Sequence, residues 1–116
     1  PDYLNAVLIV ATSLSSGDLL AAAHRIEAEF GRVRAVRFGP RTLDIDIITY
    51  AGEVSRDPVL TLPHPRAHER AFVLAPWHDI DAGAQLPGCG TVRDLLAGLD
   101  LAGVERQPGM VLAGIT

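Results

Sequence analysis

The chain contains no lysine; all ten of its basic side chains other than histidine are arginine. A Walker A loop needs a lysine on the phosphates and a protein kinase needs one on a strand, so neither nucleotide site can be built from these residues. Cys89 is the single cysteine, which excludes an intrachain disulfide and a cysteine metal cage and makes a reducing, cytoplasmic compartment the expectation. No apolar run approaches the roughly 18–20 residues that span a bilayer, so no membrane partner is expected. Pro1-Asp2-Tyr3 has neither the basic region nor the apolar core of a signal peptide. Aromatic residues make up only 5% of the chain and the net charge is −4, a combination that argues against a nucleic-acid partner.

What remains is a folding chain. It has 116 residues, of which 48% are hydrophobic and 21% charged, a size and balance suited to one compact domain over residues 1–116. Residues 4–12 form a short apolar run rich in β-branched side chains, predicted as a strand with both faces largely buried. From Asp18 the period changes: Leu19, Ala23, Ile26 and Phe30 recur at helical spacing, Asp18 suits the first turn, and Gly31 is predicted to stop the helix. A second strand is predicted over 42–50, with Leu43, Ile45 and Ile47 on one face and Asp44 and Asp46 on the other. Gly52 and Pro58 bracket a hairpin-like connection to a short strand at 59–62. Pro63-His64-Pro65 is rigid and extended. Helices are predicted near 66–76 and at 91–98, the latter opened by Thr91, and the tail from Gly103 is weakly patterned.

Chemistry concentrates in the middle of the chain. Arg32, Arg34, Arg37 and Arg41 share a stretch without a single acid, and their planar forks match phosphate oxygens. Asp44 and Asp46 follow at once, two carboxylates projecting from one face of a strand. Mg²⁺ is the natural partner of such a pair, because it takes hard oxygen ligands and commonly combines one or two carboxylates with phosphate oxygens and water. An isolated Asp-x-Asp is an exposed strand face and an isolated run of charge a solvated loop; together, beside a glycine-containing loop, they describe a polyphosphate site. His64, Arg66, His68 and Arg70 offer further donors, whereas His24 and His78 are read as structural or surface residues.

The segment Arg37-Phe38-Gly39-Pro40-Arg41-Thr42-Leu43-Asp44-Ile45-Asp46-Ile47-Ile48 resembles the defining motif of the hydroxymethyl-dihydropterin pyrophosphokinases. Flanking pieces agree in order: Pro1-Asp2-Tyr3-Leu4-Asn5-Ala6, Ile26-Glu27, Gly31-Arg32-Val33-Arg34, Leu62-Pro63-His64-Pro65 and Glu69-Arg70-Ala71-Phe72-Val73-Leu74. The resemblance covers about residues 1–80; the last third matches only in general character. It implies an α+β, ferredoxin-like sandwich with an antiparallel sheet and helices on it, here lacking the family's opening strand-helix-strand portion. From that loss a tendency to fold poorly or self-associate through exposed strands is expected.

Carried over residue by residue, the resemblance implies that Asp44 and Asp46 hold two Mg²⁺ ions bridging the ATP phosphates. Arg32 and Arg41 would contact the phosphates in transfer, and Arg34 and Arg37 would lie on a mobile loop closing over the site. His64 and Arg70 would bind ATP phosphates, with Ile47 and Thr61 near the adenine or ribose. Tyr3 and Phe72 would sandwich the pterin, Asn5 would read its edge, and Phe38 stands where the family usually has tryptophan. The implied reaction is pyrophosphoryl transfer from ATP to 6-hydroxymethyl-7,8-dihydropterin in folate synthesis, and the parent protein could be fused to another folate-pathway enzyme. Two other readings compete: a ferredoxin-like RNA-binding module and an inactive relative that keeps only the fold. The first needs more sheet-face aromatics than Tyr3, Phe38, Tyr50 and Phe72 supply; the second has no use for the combination of Arg41, Asp44, Asp46, His64 and Arg70.

Overall fold

The computed structural model describes residues 5–37 and 43–104, the side chains of 33–37 excepted. The first element is helix α1, Ser16–Arg37, 22 residues long. Ser15 caps it: its hydroxyl accepts the Asp18 N–H at 3.1 Å and its carbonyl the Leu19 N–H at 2.8 Å. The helix does not stop at Gly31. An interior glycine costs about 1 kcal/mol relative to alanine, but Ala28, Arg32, Arg34 and Ala35 around it are strong helix formers. Cations near a helix C-terminus also suit its dipole. Arg32, Arg34 and Arg37 therefore ride on the last turns of α1, which corrects the expectation that Arg34 and Arg37 lie on a mobile loop. The packed face is also rotated from the one predicted. Leu19, Leu20, Glu27 and Phe30 are half-buried and Ala23 buried, whereas Ile26 is 55% exposed.

The two predicted strands flanking α1 carry no ladder in their described parts. Of residues 5–12 only Val7 is half-buried, and Leu8, Ile9 and Val10 are exposed by 51, 63 and 59%. Burying both faces of a strand requires neighbours in the sheet and layers above and below it, and no described strand pairs with this segment. Residues 43–49 likewise form no ladder. Their side-chain alternation nevertheless follows the period of two: Asp44 and Asp46 are exposed, Ile45 and Ile47 half-buried. Leu43, expected on the inner face, is 37% exposed.

Strands β1, Ser55–Asp57, and β2, Leu60–Leu62, form an antiparallel hairpin in which Asp57 faces Leu60. The short strand predicted at 59–62 is found as β2, but its partner is β1, which lies within the stretch from Gly52 to Pro58 that was expected to be a connection from 42–50. A 3₁₀ turn, Ala67–Glu69, then leads into α2, Ala71–Ile80, so the expected helix near 66–76 is divided and shifted. A second hairpin joins β3, Gln85–Leu86, to β4, Gly90–Thr91, and α3 follows at Val92–Ala97. Thr91 opens α3 as predicted, its hydroxyl accepting the Asp94 N–H at 3.1 Å.

The core lies in this second half. Ala67, Leu74, Trp77, Ala84, Leu86 and Val92 form one buried cluster, and Val7 and Ile48 pack onto it from the segments on either side of α1. The described residues thus build an α+β arrangement of three α-helices and two small antiparallel hairpins. Among them no helix is long and apolar enough to cross a membrane.

Candidate active site

An open cavity of about 480 Å³ lies where α1, the aspartate segment and the first hairpin meet. That volume falls in the range of small-molecule sites. Asp44, Asp46 and Ile47 line it from the aspartate segment, Thr61 from β2, and His64 from the turn that follows. Five of the residues singled out from sequence are therefore brought together, although up to twenty positions separate them.

The backbone explains how. The His64 N–H donates to the Ile48 carbonyl at 2.8 Å, which joins the end of the first hairpin to the aspartate segment. The Ile45 N–H, between the two aspartates, donates to a carboxylate oxygen of Glu27 on α1 at 2.6 Å. A turn at Ala51-Gly52, both with positive φ (46° and 74°), carries the chain away from the segment. The Ser16 hydroxyl reaches Glu53 beyond that turn at 3.2 Å, and the Tyr50 hydroxyl donates to the Leu14 carbonyl.

His64 is half-buried, and this burial is the main reason its pKa lies below the ordinary 6.5. Asp46 pulls the value up, while Arg70 and Arg66 push it further down. Its Nδ1 accepts the Arg66 N–H at 3.2 Å, so the neutral ring carries its proton on Nε2. The site is thus provided with a neutral imidazole whose Nε2–H is free of the Arg66 contact made by Nδ1.

Other predicted residues stand apart from the cavity lining. Arg32 is exposed and paired with Glu29 one turn earlier. Phe72 is 43% exposed, with the Arg70 guanidinium 5.6 Å from its ring centre. Asn5 is exposed. Tyr3, Phe38 and Arg41 lie outside the described residues, as do the side chains of Arg34 and Arg37. Conversely, Leu20, His24 and Glu27 of α1 line the cavity, and the sequence reading had assigned none of them to it. The available signal was Glu27 itself, a carboxylate in the 20-23-27-30 spacing of an otherwise apolar helix face.

The donor set suits a hard cation that brings its own further ligands. Among the described residues no group of three His, Cys, Asp or Glu side chains could hold a metal ion by itself. Two exposed carboxylates at alternate positions on one cavity wall instead match Mg²⁺, which keeps water and takes phosphate oxygens as ligands.

Comparison with known proteins gives the family. The family model of 7,8-dihydro-6-hydroxymethylpterin-pyrophosphokinase matches residues 1–82. The chain is 42% identical over 109 residues to the 2-amino-4-hydroxy-6-hydroxymethyldihydropteridine pyrophosphokinase of Pseudomonas aeruginosa, covering 94% of this chain and 67% of that protein. It is 45% identical over 104 residues to the protein of the same name from Methylorubrum extorquens, covering 90% of this chain and 65% of that protein. A pea protein named mitochondrial folate synthesis bifunctional protein is 44% identical over 80 residues, covering 69% of this chain and 16% of its own length. The family model ends at residue 82, whereas the bacterial alignments run past it. The chain spans about two thirds of the length of these bacterial relatives. With the family model matching most of its length, the chain belongs to the 7,8-dihydro-6-hydroxymethylpterin-pyrophosphokinase family.

Proposed function

We propose that this chain provides the metal-nucleotide half of an enzyme that transfers pyrophosphate from ATP to the hydroxymethyl group of 6-hydroxymethyl-7,8-dihydropterin, releasing AMP. The observation that carries this reading is the shared cavity of Asp44, Asp46, Thr61 and His64. Asp44 and Asp46 would hold Mg²⁺, two ions in our reading, which when bound neutralise phosphate charge. His64 would donate from Nε2 to a phosphate oxygen, and Ile47 and Thr61 would border the adenosine.

Such a transfer needs little covalent help from protein; positioning and charge neutralisation supply most of the acceleration. Arg32, Arg34, Arg37 and Arg41 are read as the phosphate clamp, with Arg32 and Arg41 on the groups in transfer. The exposed Arg32–Glu29 pair is 70 and 65% accessible at its side chains, so it holds weakly and exchanges readily for a phosphate. Arg70 would add positive field. Tyr3, Asn5, Phe38 and Phe72 are read as the pterin contacts. We also read residues 1–116 as one domain of ferredoxin-like type in its parent protein, acting in the cytoplasm, and the bifunctional pea relative makes fusion to another folate enzyme a reasonable arrangement.

Two measurements test the reading. With ATP, Mg²⁺ and 6-hydroxymethyl-7,8-dihydropterin, pterin-dependent AMP is the expected product; ADP would contradict pyrophosphoryl transfer. Calorimetric titration with a non-hydrolysable ATP analogue should show binding that depends on Mg²⁺. Equal affinity with and without the metal would remove the role given to Asp44 and Asp46.

A further inference from the structure

Residues 43–49 carry the two carboxylates of the candidate site, yet no described strand pairs with them. Backbone groups that face protein rather than water need partners. The Ile45 N–H, between the aspartates and on a half-buried residue, finds its partner in the Glu27 carboxylate at 2.6 Å. A charged acceptor makes this a short, strong hydrogen bond. It is also a contact across 18 positions of sequence.

Glu27 is an unusual residue for its place. It is half-buried on the packed face of α1, one turn from buried Ala23 and one turn from half-buried Phe30. A leucine there would bury more apolar surface; a carboxylate is desolvated at a cost unless it has a specific partner. The same side chain lines the cavity that Asp44 and Asp46 line. Burial alternates along the segment, with exposed Asp44 and Asp46 on either side of half-buried Ile45, so fixing the amide of residue 45 fixes the direction in which residues 44 and 46 project.

We propose that Glu27 is the positioning residue of the Asp44–Asp46 pair. Its hydrogen bond to the Ile45 N–H takes the place of a neighbouring strand and holds both carboxylates toward the cavity. The role rests on the metal-nucleotide reading of that cavity. It is separate from metal ligation, since Glu27 acts through the backbone of residue 45.

The test compares Glu27→Met, which keeps the volume of the side chain but has no oxygen acceptor, with Glu27→Gln, which keeps an acceptor and loses the charge. Circular dichroism checks the fold of each full-length variant. The first readout is hydrogen exchange of the Ile45 amide in the ¹⁵N-labelled chain. Exchange should accelerate about 10-fold or more in Glu27→Met and stay within about 3-fold of wild type in Glu27→Gln. The second readout is Mn²⁺ affinity by electron paramagnetic resonance with a non-hydrolysable ATP analogue. It should fall about 10-fold in Glu27→Met, the scale of losing a residue that orients a ligand, and be largely restored in Glu27→Gln. Unchanged Ile45 exchange in Glu27→Met overturns the proposal. Equal Mn²⁺ loss in both variants overturns it too, because the charge and not the hydrogen bond would then matter. If wild type itself binds no Mn²⁺-nucleotide, the metal-nucleotide reading fails, and Ile45 exchange alone decides whether Glu27 holds the segment.

Discussion

The main-chain N–H of His64 donates to the carbonyl oxygen of Ile48 across 2.8 Å. This bond sets an imidazole and a pair of carboxylates at the edges of one cavity although they come from separate stretches of chain. Ile48 also packs on the core, so the bond has a fixed base on one side.

Replacing Asp46 tests the metal role directly. The residue is exposed, and substitutions at such positions leave stability within about 0.5 kcal/mol. Asp46→Ala should therefore melt with wild type while lowering Mg-ATP turnover by about 100-fold or more, the scale of losing one preorganised charge-stabilising group. AMP release and thermal denaturation on the same sample read both halves. Wild-type turnover would rule out Asp46 as a metal ligand.

The pH dependence follows from His64. Burial, reinforced by Arg70 and Arg66 and opposed by Asp46, holds its folded pKa below 6.5. Between that lower value and 6.5 the unfolded chain binds more protons than the folded one. The stability contributed by a neutral His64 is thus complete above about pH 6.5 and lost as pH falls through the folded pKa. A polyphosphate favours the imidazolium, so nucleotide affinity should rise as pH falls through the same window. The His64 ring proton shift, followed by NMR against pH, should give a midpoint below 6.5 for the free chain, a higher one with nucleotide, and a still lower one in Asp46→Asn. A free-chain midpoint at or above 6.5 would contradict the burial argument.

Leu74 is fully buried in the core cluster, at 0% exposure. Leu74→Ala should cost about 2–5 kcal/mol, the range for a leucine removed from a packed interior. Urea denaturation should show a lower midpoint with an unchanged slope. A loss below 1 kcal/mol would mean that the cluster does not carry the fold.

Much of this was legible in the residues, and the failures have causes. Local chemistry read correctly: the Thr91 cap, the short strand β2 and the alternation of Asp44, Ile45, Asp46 and Ile47 depend on neighbouring residues alone. The Asp44–Asp46 pair and His64 were found from residue type, and the structure brings them to one cavity. Burial of 5–12 failed because the apolar run of Leu8, Ile9 and Val10 states a preference for burial without supplying a partner. The end of α1 was misjudged because Gly31 weakens a helix less than its arginine and alanine neighbours sustain it. The β3–β4 hairpin was missed although Pro87-Gly88 marks its turn. Glu27 was missed as a cavity residue because a lone carboxylate on an apolar helix face does not name its partner, here a main-chain N–H 18 positions away.

The position of the core along the chain sets an order of events during synthesis. Ile48 and Val7 dock on a cluster drawn from Ala67 through Val92, and a ribosome adds roughly 5–20 residues per second from the N-terminus. Asp44 and Asp46 therefore emerge before the surface that will anchor their segment has been made. For a few seconds a nascent chain presents the pair on backbone not yet docked on the core, and the proposed competence to hold a metal-nucleotide would arrive only when the later residues close beneath it.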